Sequence, residues 1–62
     1  MIKSVIKLEN DLVVVFDESD QPMPEYQGKY ADVREKLLRD APPEAVFGHI
    51  ASSIRAVLRE QW

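Results

Sequence analysis

The chain has 62 residues, a formal net charge of −3 and no cysteine, and its composition is 45% hydrophobic and 31% charged. This length allows one small domain, residues 1–62, and the lack of cysteine excludes disulfide bonds and thiolate metal sites. A single histidine cannot form an imidazole cluster, so we expect neither a metal nor a cofactor. The longest apolar run, residues 12–16, falls far short of the roughly 18 residues that span a bilayer, which indicates a cytoplasmic protein without a membrane partner.

A domain of this size hides only about 60% of the surface of its unfolded chain. Small chains without disulfides or metals commonly compensate by associating. We therefore expect a homodimer. The alternative is a domain that folds alone, as many chains of roughly 55 to 65 residues do.

The first part of the chain predicts an antiparallel hairpin over residues 2–17. Residues 2–8 alternate between apolar and polar side chains, and residues 12–17 are β-branched and aromatic. A three-residue loop of Glu9, Asn10 and Asp11 would set Leu8 opposite Leu12. It would also place Lys3 across from Asp17 as a charge pair.

This register divides the hairpin into two faces. One face collects the larger apolar side chains: Ile2, Ile6, Leu8, Leu12, Val14 and Phe16. We expect helices to cover this face. The second face carries Val5, Val13 and Val15 beside lysines, and we expect these three valines, with the hairpin edge, to form the contact surface between two copies.

An irregular loop is expected over residues 18–29, because Pro22, Pro24 and Gly28 interrupt any periodicity. Residues 9–25 contain six acids and no base. Asp17, Glu18 and Asp20 stand close together, but their spacing does not match a calcium-binding EF-hand loop. A solvated turn is the simpler interpretation.

Residues 30–40 predict a first helix, because Tyr30, Val33, Leu37 and Ala41 recur at helical spacing. The two prolines that follow Ala41 stop this helix. Residues 43–61 predict a second helix with a wide apolar stripe. Its members are Val46, Phe47, Ile50, Ala51, Ile54, Val57, Leu58 and Trp62, and Trp62 would close the far end of the core.

The predicted fold is therefore α+β with the order ββαα: an N-terminal antiparallel β-hairpin packed against two antiparallel C-terminal helices. Gly48 in the second helix would allow another helix to approach closely. Met23, Pro24, Tyr26 and Tyr30 are interpreted as a lid over the core, with Tyr26 the more exposed tyrosine and a candidate interface residue.

No catalytic site is predicted. His49 and Ser53 would lie one turn apart on the second helix, but Glu60 would be roughly 16 Å from His49 along that helix and could not orient the imidazole. Arg55 and Arg59 would share a helix face and could bind a phosphate or, in the preferred interpretation, carboxylates of the acidic loop of another subunit, so both are candidate interface residues.

The sequence thus favours a small protein–protein interaction or regulatory module, not an enzyme. One alternative is a DNA-binding regulator of the antitoxin type, which would use Arg55 and Arg59. The net negative charge and the lack of a basic stripe argue against nucleic acid. A second alternative is a small enzyme, or an enzyme subunit, that uses His49.

Overall fold

The computed structural model describes all residues, 1–62, as a five-stranded mixed sheet with one α-helix. The strands and the helix are, in chain order, β1 (Ile2–Lys7), β2 (Leu12–Asp17), β3 (Gly28–Lys29), α1 (Tyr30–Asp40), β4 (Val46–Ile50) and β5 (Ile54–Val57). The strand order in the sheet is β3-β2-β1-β4-β5. Two 3-10 turns, Pro24–Tyr26 and Arg59–Gln61, complete the regular structure.

The predicted hairpin and its three-residue loop are confirmed. Ile6 lies opposite Val14, and the Leu8 N–H donates to the Leu12 oxygen at 2.8 Å. The loop needs a left-handed residue at Asp11, whose φ is 63°. Aspartate tolerates that conformation better than most residues because its short polar side chain can form local hydrogen bonds.

The N-terminal end of the hairpin departs from the predicted register. A bulge between Ile2 and Ser4 sets Ile2, not Lys3, opposite Asp17. Lys3 instead places its Nζ 3.2 Å from a carboxylate oxygen of Asp20. The predicted cross-strand pair of Lys3 with Asp17 is therefore wrong, since the extra residue shifts Lys3 out of line.

The predicted second helix, and with it the ββαα order, is wrong. The segment forms β4, which pairs in parallel with β1, and β5, which pairs antiparallel with β4. Residues 46–50 and 54–57 alternate between the two sides of the sheet, and the turn between them contains Ser52 and Ser53. Gly48 also lowers helix propensity, by about 1 kcal/mol relative to alanine.

Helix α1 is confirmed almost to the residue, and its predicted apolar side faces the sheet. Val33 and Leu37 are buried, as is Ala41 just beyond the helix. They form one apolar cluster with buried residues of the sheet and the chain end: Ile2, Val5, Val13, Val15, Phe47 and Trp62. No helix of the structure has the length and apolar composition needed to cross a membrane.

The residues predicted as an irregular loop, 18–29, run along the outer edge of β2. Pro22 forms a β-bridge with Phe16, and the Met23 N–H donates to the Val15 oxygen at 2.9 Å. The short strand β3 then pairs with the start of β2. Since β1 pairs with β4 on its other side, both edges of the hairpin are occupied within the chain.

Candidate functional site

One side of the sheet has no helix over it, and its residues are mainly apolar. Val15 opposes Val5 under α1, so the alternate residues of each strand point to the opposite side. Pairing across the strands extends this side over the sheet. We call it the open face, formed by Ser4, Ile6, Leu8, Leu12, Val14, Phe16, Val46, Gly48, Ile50, Ile54 and Ala56.

Several large side chains of the open face remain accessible to solvent. Ile54 is 70% exposed, Val46 is 51% exposed and Leu12 is 40% exposed. Leu58, which continues the alternation just after β5, is 61% exposed. Lys29 borders this side at its edge, opposite Leu12. The open face is therefore a continuous apolar surface.

Gly48 lies on β4 within the open face, where an added Cβ atom would be tightly packed. A Cβ atom there would lie 3.2 Å from the main-chain oxygen of Arg55 and 3.3 Å from Cδ1 of Ile6. The close neighbour is thus a strand and the Ile6 side chain, not the second helix that the sequence led us to expect. Because Gly48 has no side chain, nothing protrudes from the open face at this position.

The three valines expected at an interface lie in the core. Val5 and Val15 are 0% exposed and Val13 is 1% exposed, under the side chains of α1. In this conformation they offer no surface to a partner. The assignment of the covered and uncovered faces of the hairpin was therefore inverted.

Tyr26 is half-buried and packs against the core together with Met23 and Tyr30, as expected for the lid. Its hydroxyl donates to Oδ2 of Asp40 at 2.9 Å. This hydrogen bond lowers the pKa of the Asp40 carboxyl below its ordinary value and raises the pKa of the Tyr26 phenol above its own. The contact connects the residues before β3 to the end of α1.

Arg59 holds the C-terminal end of α1. Its guanidinium donates to the main-chain oxygens of Leu38, at 3.3 Å, and Ala41, at 3.1 Å, and also to that of Pro42. The guanidinium carbon lies 4.8 Å from the centroid of the Phe47 ring. Arg59 therefore caps a helix end, where the dipole favours positive charge, and does not lie on a free surface.

Arg55 and His49 lie opposite each other on β5 and β4. Arg55 is exposed, whereas His49 is half-buried, and its Nε2 has no hydrogen-bond partner. Ser53 lines the same cleft, and the bend between β4 and β5, not a helix, brings it to the side of His49. Glu60 is not among the residues that line this cleft.

The three clustered carboxylates each have a different partner. Glu18 lies 3.1 Å from the N-terminal amino group, and Asp20 pairs with Lys3. Asp17 accepts the N–H groups of Gln21, at 3.0 Å, and Ser19, at 2.8 Å, and these bonds lower its pKa. No group of three or more acidic or histidine side chains is arranged to hold a metal ion.

The chain matches no family model, and neither a curated protein nor a solved structure shows significant similarity to it. Any functional conclusion therefore depends on its own geometry. Two places stand out: the open face on one side of the sheet, and the cleft at His49 on the other side. The sequence singled out His49, Ser53 and Arg55 but predicted neither the cleft nor the open face, because each combines residues from separate strands.

Proposed function

We propose that this chain is a small protein–protein interaction module that forms a homodimer through its open face. The observation that supports this proposal is the asymmetry of the sheet. One side is covered by α1 and by the chain end, and the other presents Ile54, Val46 and Leu12 to solvent. The largest contiguous apolar patch on a monomeric protein is often functional, and patches of more than a few hundred Å² mark interaction sites.

The size of the open face is sufficient for a modest interface. Its four longer strands lie about 4.8 Å apart and contribute about five residues each at roughly 3.3 Å per residue, so they cover roughly 320 Å² in flat projection. The accessible area is larger than this figure, because side chains protrude from the sheet. Leu58 after β5 and Pro22, which forms a bridge with Phe16, add to it. A standard interface buries about 800 Å² per partner, so this one belongs at the lower end, among weak and transient associations.

A second copy of the same chain fits this surface best. The partner must be apolar, because the open face has no charge in its interior. It must also be nearly flat, because no side chain protrudes at Gly48. Another open face meets both conditions. Two sheets pack face to face at about 10 Å with a two-fold axis between them, which would leave α1 on the outside of each copy.

The homodimer expected from sequence is thus retained, but on a different surface. The hairpin edges are paired with β3 and β4, and the valine face is in the core. The DNA-binding alternative depended on Arg55 and Arg59 as neighbours on one helix. They lie on different elements, and Arg59 is engaged with the end of α1, so the geometry favours the protein interface.

The proposal is tested by measuring molar mass against concentration, by sedimentation or light scattering, from about 1 μM to 1 mM. Ile54→Lys adds a charge to the open face at a side chain that is 70% exposed, so the fold of one copy should tolerate it. Glu35→Gln changes the net charge by the same amount at an exposed position of α1 and serves as the matched control.

The wild type and Glu35→Gln should change from monomer to dimer across this range, while Ile54→Lys stays monomeric with an unchanged circular dichroism spectrum. Val46→Lys, at a 51% exposed position on β4, the strand next to β5, should act in the same way. A wild type that stays monomeric at 1 mM would refute the proposal. So would a dimer that both lysine variants on the open face leave intact.

A further inference from the structure

The side of the sheet that carries α1 has a cleft between the β4–β5 turn and the second 3-10 turn. The cleft has a volume of about 460 Å³. That volume lies within the range of small-molecule sites, roughly 300 to 1,000 Å³. Its lining residues are His49, Ala51, Ser52, Ser53, Arg55, Val57 and Gln61.

Each polar side chain around this cleft can donate a hydrogen bond. The Arg55 guanidinium takes part in none of the four salt bridges of the molecule. Ser52 and Ser53 add hydroxyls, Gln61 adds an amide, and no acidic residue lines the cleft. On a protein with a net charge of −3, this is a local positive site. A free guanidinium fork matches the paired oxygens of a carboxylate or a phosphate.

His49 provides an independent observation. Its Nε2 is the only buried side-chain nitrogen or oxygen of the structure without a hydrogen-bond partner. Such unpaired groups are rare in proteins and are costly unless a ligand or water satisfies them. His49 and Arg55 are directly opposed on neighbouring strands, where Cβ atoms are about 5 Å apart, and both line the cleft. A ligand held by Arg55 therefore lies against the His49 ring, while Nε2 itself is shielded from solvent.

We propose that this cleft binds a small molecule through an oxyanion group, a carboxylate or a phosphate, held by Arg55 with help from the serine hydroxyls and His49. The open face lies on the other side of the sheet from His49 and Arg55. Binding in the cleft and dimerisation therefore do not depend on each other, and either proposal can fail alone.

The test uses the isotope-labelled full chain in an NMR titration at constant ionic strength, with inorganic phosphate in one arm and acetate in the other. Arg55→Gln removes the guanidinium from an exposed position with little risk to the fold. Arg39→Gln is the matched control, because it removes the same charge from α1, where the Arg39 side chain is 70% exposed.

We expect saturable shifts of the amides of residues 49–55 and 61 with at least one anion, and the arm with the lower dissociation constant identifies the oxyanion. Arg55→Gln should weaken binding about tenfold or more, Arg55→Lys should weaken it less, and Arg39→Gln should leave it unchanged. Two results would overturn the site: no saturation with either anion up to about 50 mM, which would detect a millimolar dissociation constant, or equal affinities for the wild type and Arg55→Gln.

Discussion

The indole N–H of Trp62 donates to the main-chain oxygen of Gly48 at 3.0 Å. Trp62 is 2% exposed, and its ring meets those of Tyr30 and Phe47 edge to face, with centroids 5.1 Å and 5.0 Å apart. One side chain thus ties the second 3-10 turn to β4 and to the start of α1. The prediction that Trp62 closes the far end of the core is confirmed, although no helix delivers it there.

Trp62→Phe should separate the hydrogen bond from the packing. Phenylalanine retains most of the ring contacts but leaves the Gly48 oxygen unpaired, so the free energy of unfolding should fall by about 1 to 3 kcal/mol. Trp62→Ala should lose about 3 to 5 kcal/mol, which is close to the whole stability of a small domain. Urea denaturation followed by circular dichroism measures both. An unchanged midpoint for Trp62→Phe would show that the indole N–H contributes nothing.

Arg59→Ala should destabilise the fold through the end of α1. The substitution removes the donors to the oxygens of Leu38, Ala41 and Pro42 and the cation above Phe47. Arg59 is only half-buried, so water partly replaces these bonds, and we expect a loss of about 1 to 2 kcal/mol. For a domain of this size, each kcal/mol lowers Tm by roughly 4 to 8 °C.

Arg59→Lys is the control for this prediction, because it keeps the charge near the helix end but lacks the planar guanidinium, whose two terminal nitrogens donate to separate oxygens. Its loss should lie between zero and that of the alanine variant. Arg55→Ala, on exposed β5, should change Tm little. If Arg55→Ala and Arg59→Ala lowered Tm equally, the capping role would be refuted.

The assignment of the two sheet faces can be checked with two adjacent valines of β2. Val15 is 0% exposed beneath α1, while Val14 is half-buried on the open face. Val15→Lys buries a charge among apolar side chains and should abolish cooperative unfolding. Val14→Lys adds the same charge but should cost only about 1 kcal/mol in monomer stability. The reverse ranking in thermal denaturation would indicate that α1 packs on the other face.

The sequence was enough to predict the register of the hairpin next to its loop. It was not enough to predict which face of the hairpin α1 covers. A loop of three residues follows from Asp11, which tolerates a left-handed backbone, and from the pairing of Ile6 with Val14. Period-two alternation, however, specifies only that two faces exist. Both faces of this hairpin are apolar, so the choice between them depends on where β4 and α1 pack, which is tertiary information.

The C-terminal half was misassigned because its pattern fits two periods. The apolar stripe predicted for a helix is so wide that the same residues also fit two strands with alternating sides. In β4, Val46 and Ile50 lie on one side of the sheet and Phe47 lies on the other. Gly48 and the serine pair at 52–53 were the local signals against a helix. The parallel pairing of β4 with β1 joins residues about forty positions apart, which no local pattern predicts. Both candidate sites contain β4 and β5 residues, so they could not be recognised from sequence.

Acid should destabilise the protein through Asp17 and Asp40. Hydrogen bonds from Gln21 and from Tyr26, respectively, lower the pKa of each carboxyl below the ordinary 3.8. Below that value the unfolded chain binds more protons than the folded chain. Stabilisation by these groups is therefore complete above pH 3.8 and is lost as the pH falls through the folded pKa values. Urea midpoints between pH 2 and pH 7 should fall more steeply in the wild type than in Asp40→Asn. Asp32→Asn, on the same helix, is the control.

Alkali should act on the other partner of the same hydrogen bond. The bond to Asp40 raises the pKa of Tyr26 above 10.0, so its stabilisation is complete below pH 10.0 and is lost as the pH rises through the folded pKa, when the hydroxyl no longer has a proton to donate. Tyr26→Phe should be less stable at pH 7 and should lose less stability in alkali than the wild type. A phenolate titration of Tyr30→Phe, which leaves Tyr26 as the only tyrosine, would give its pKa directly. That pKa should fall towards 10.0 when Asp40→Asn is added, and a phenol that titrates at the same pH with and without Asp40 would contradict the assigned cause.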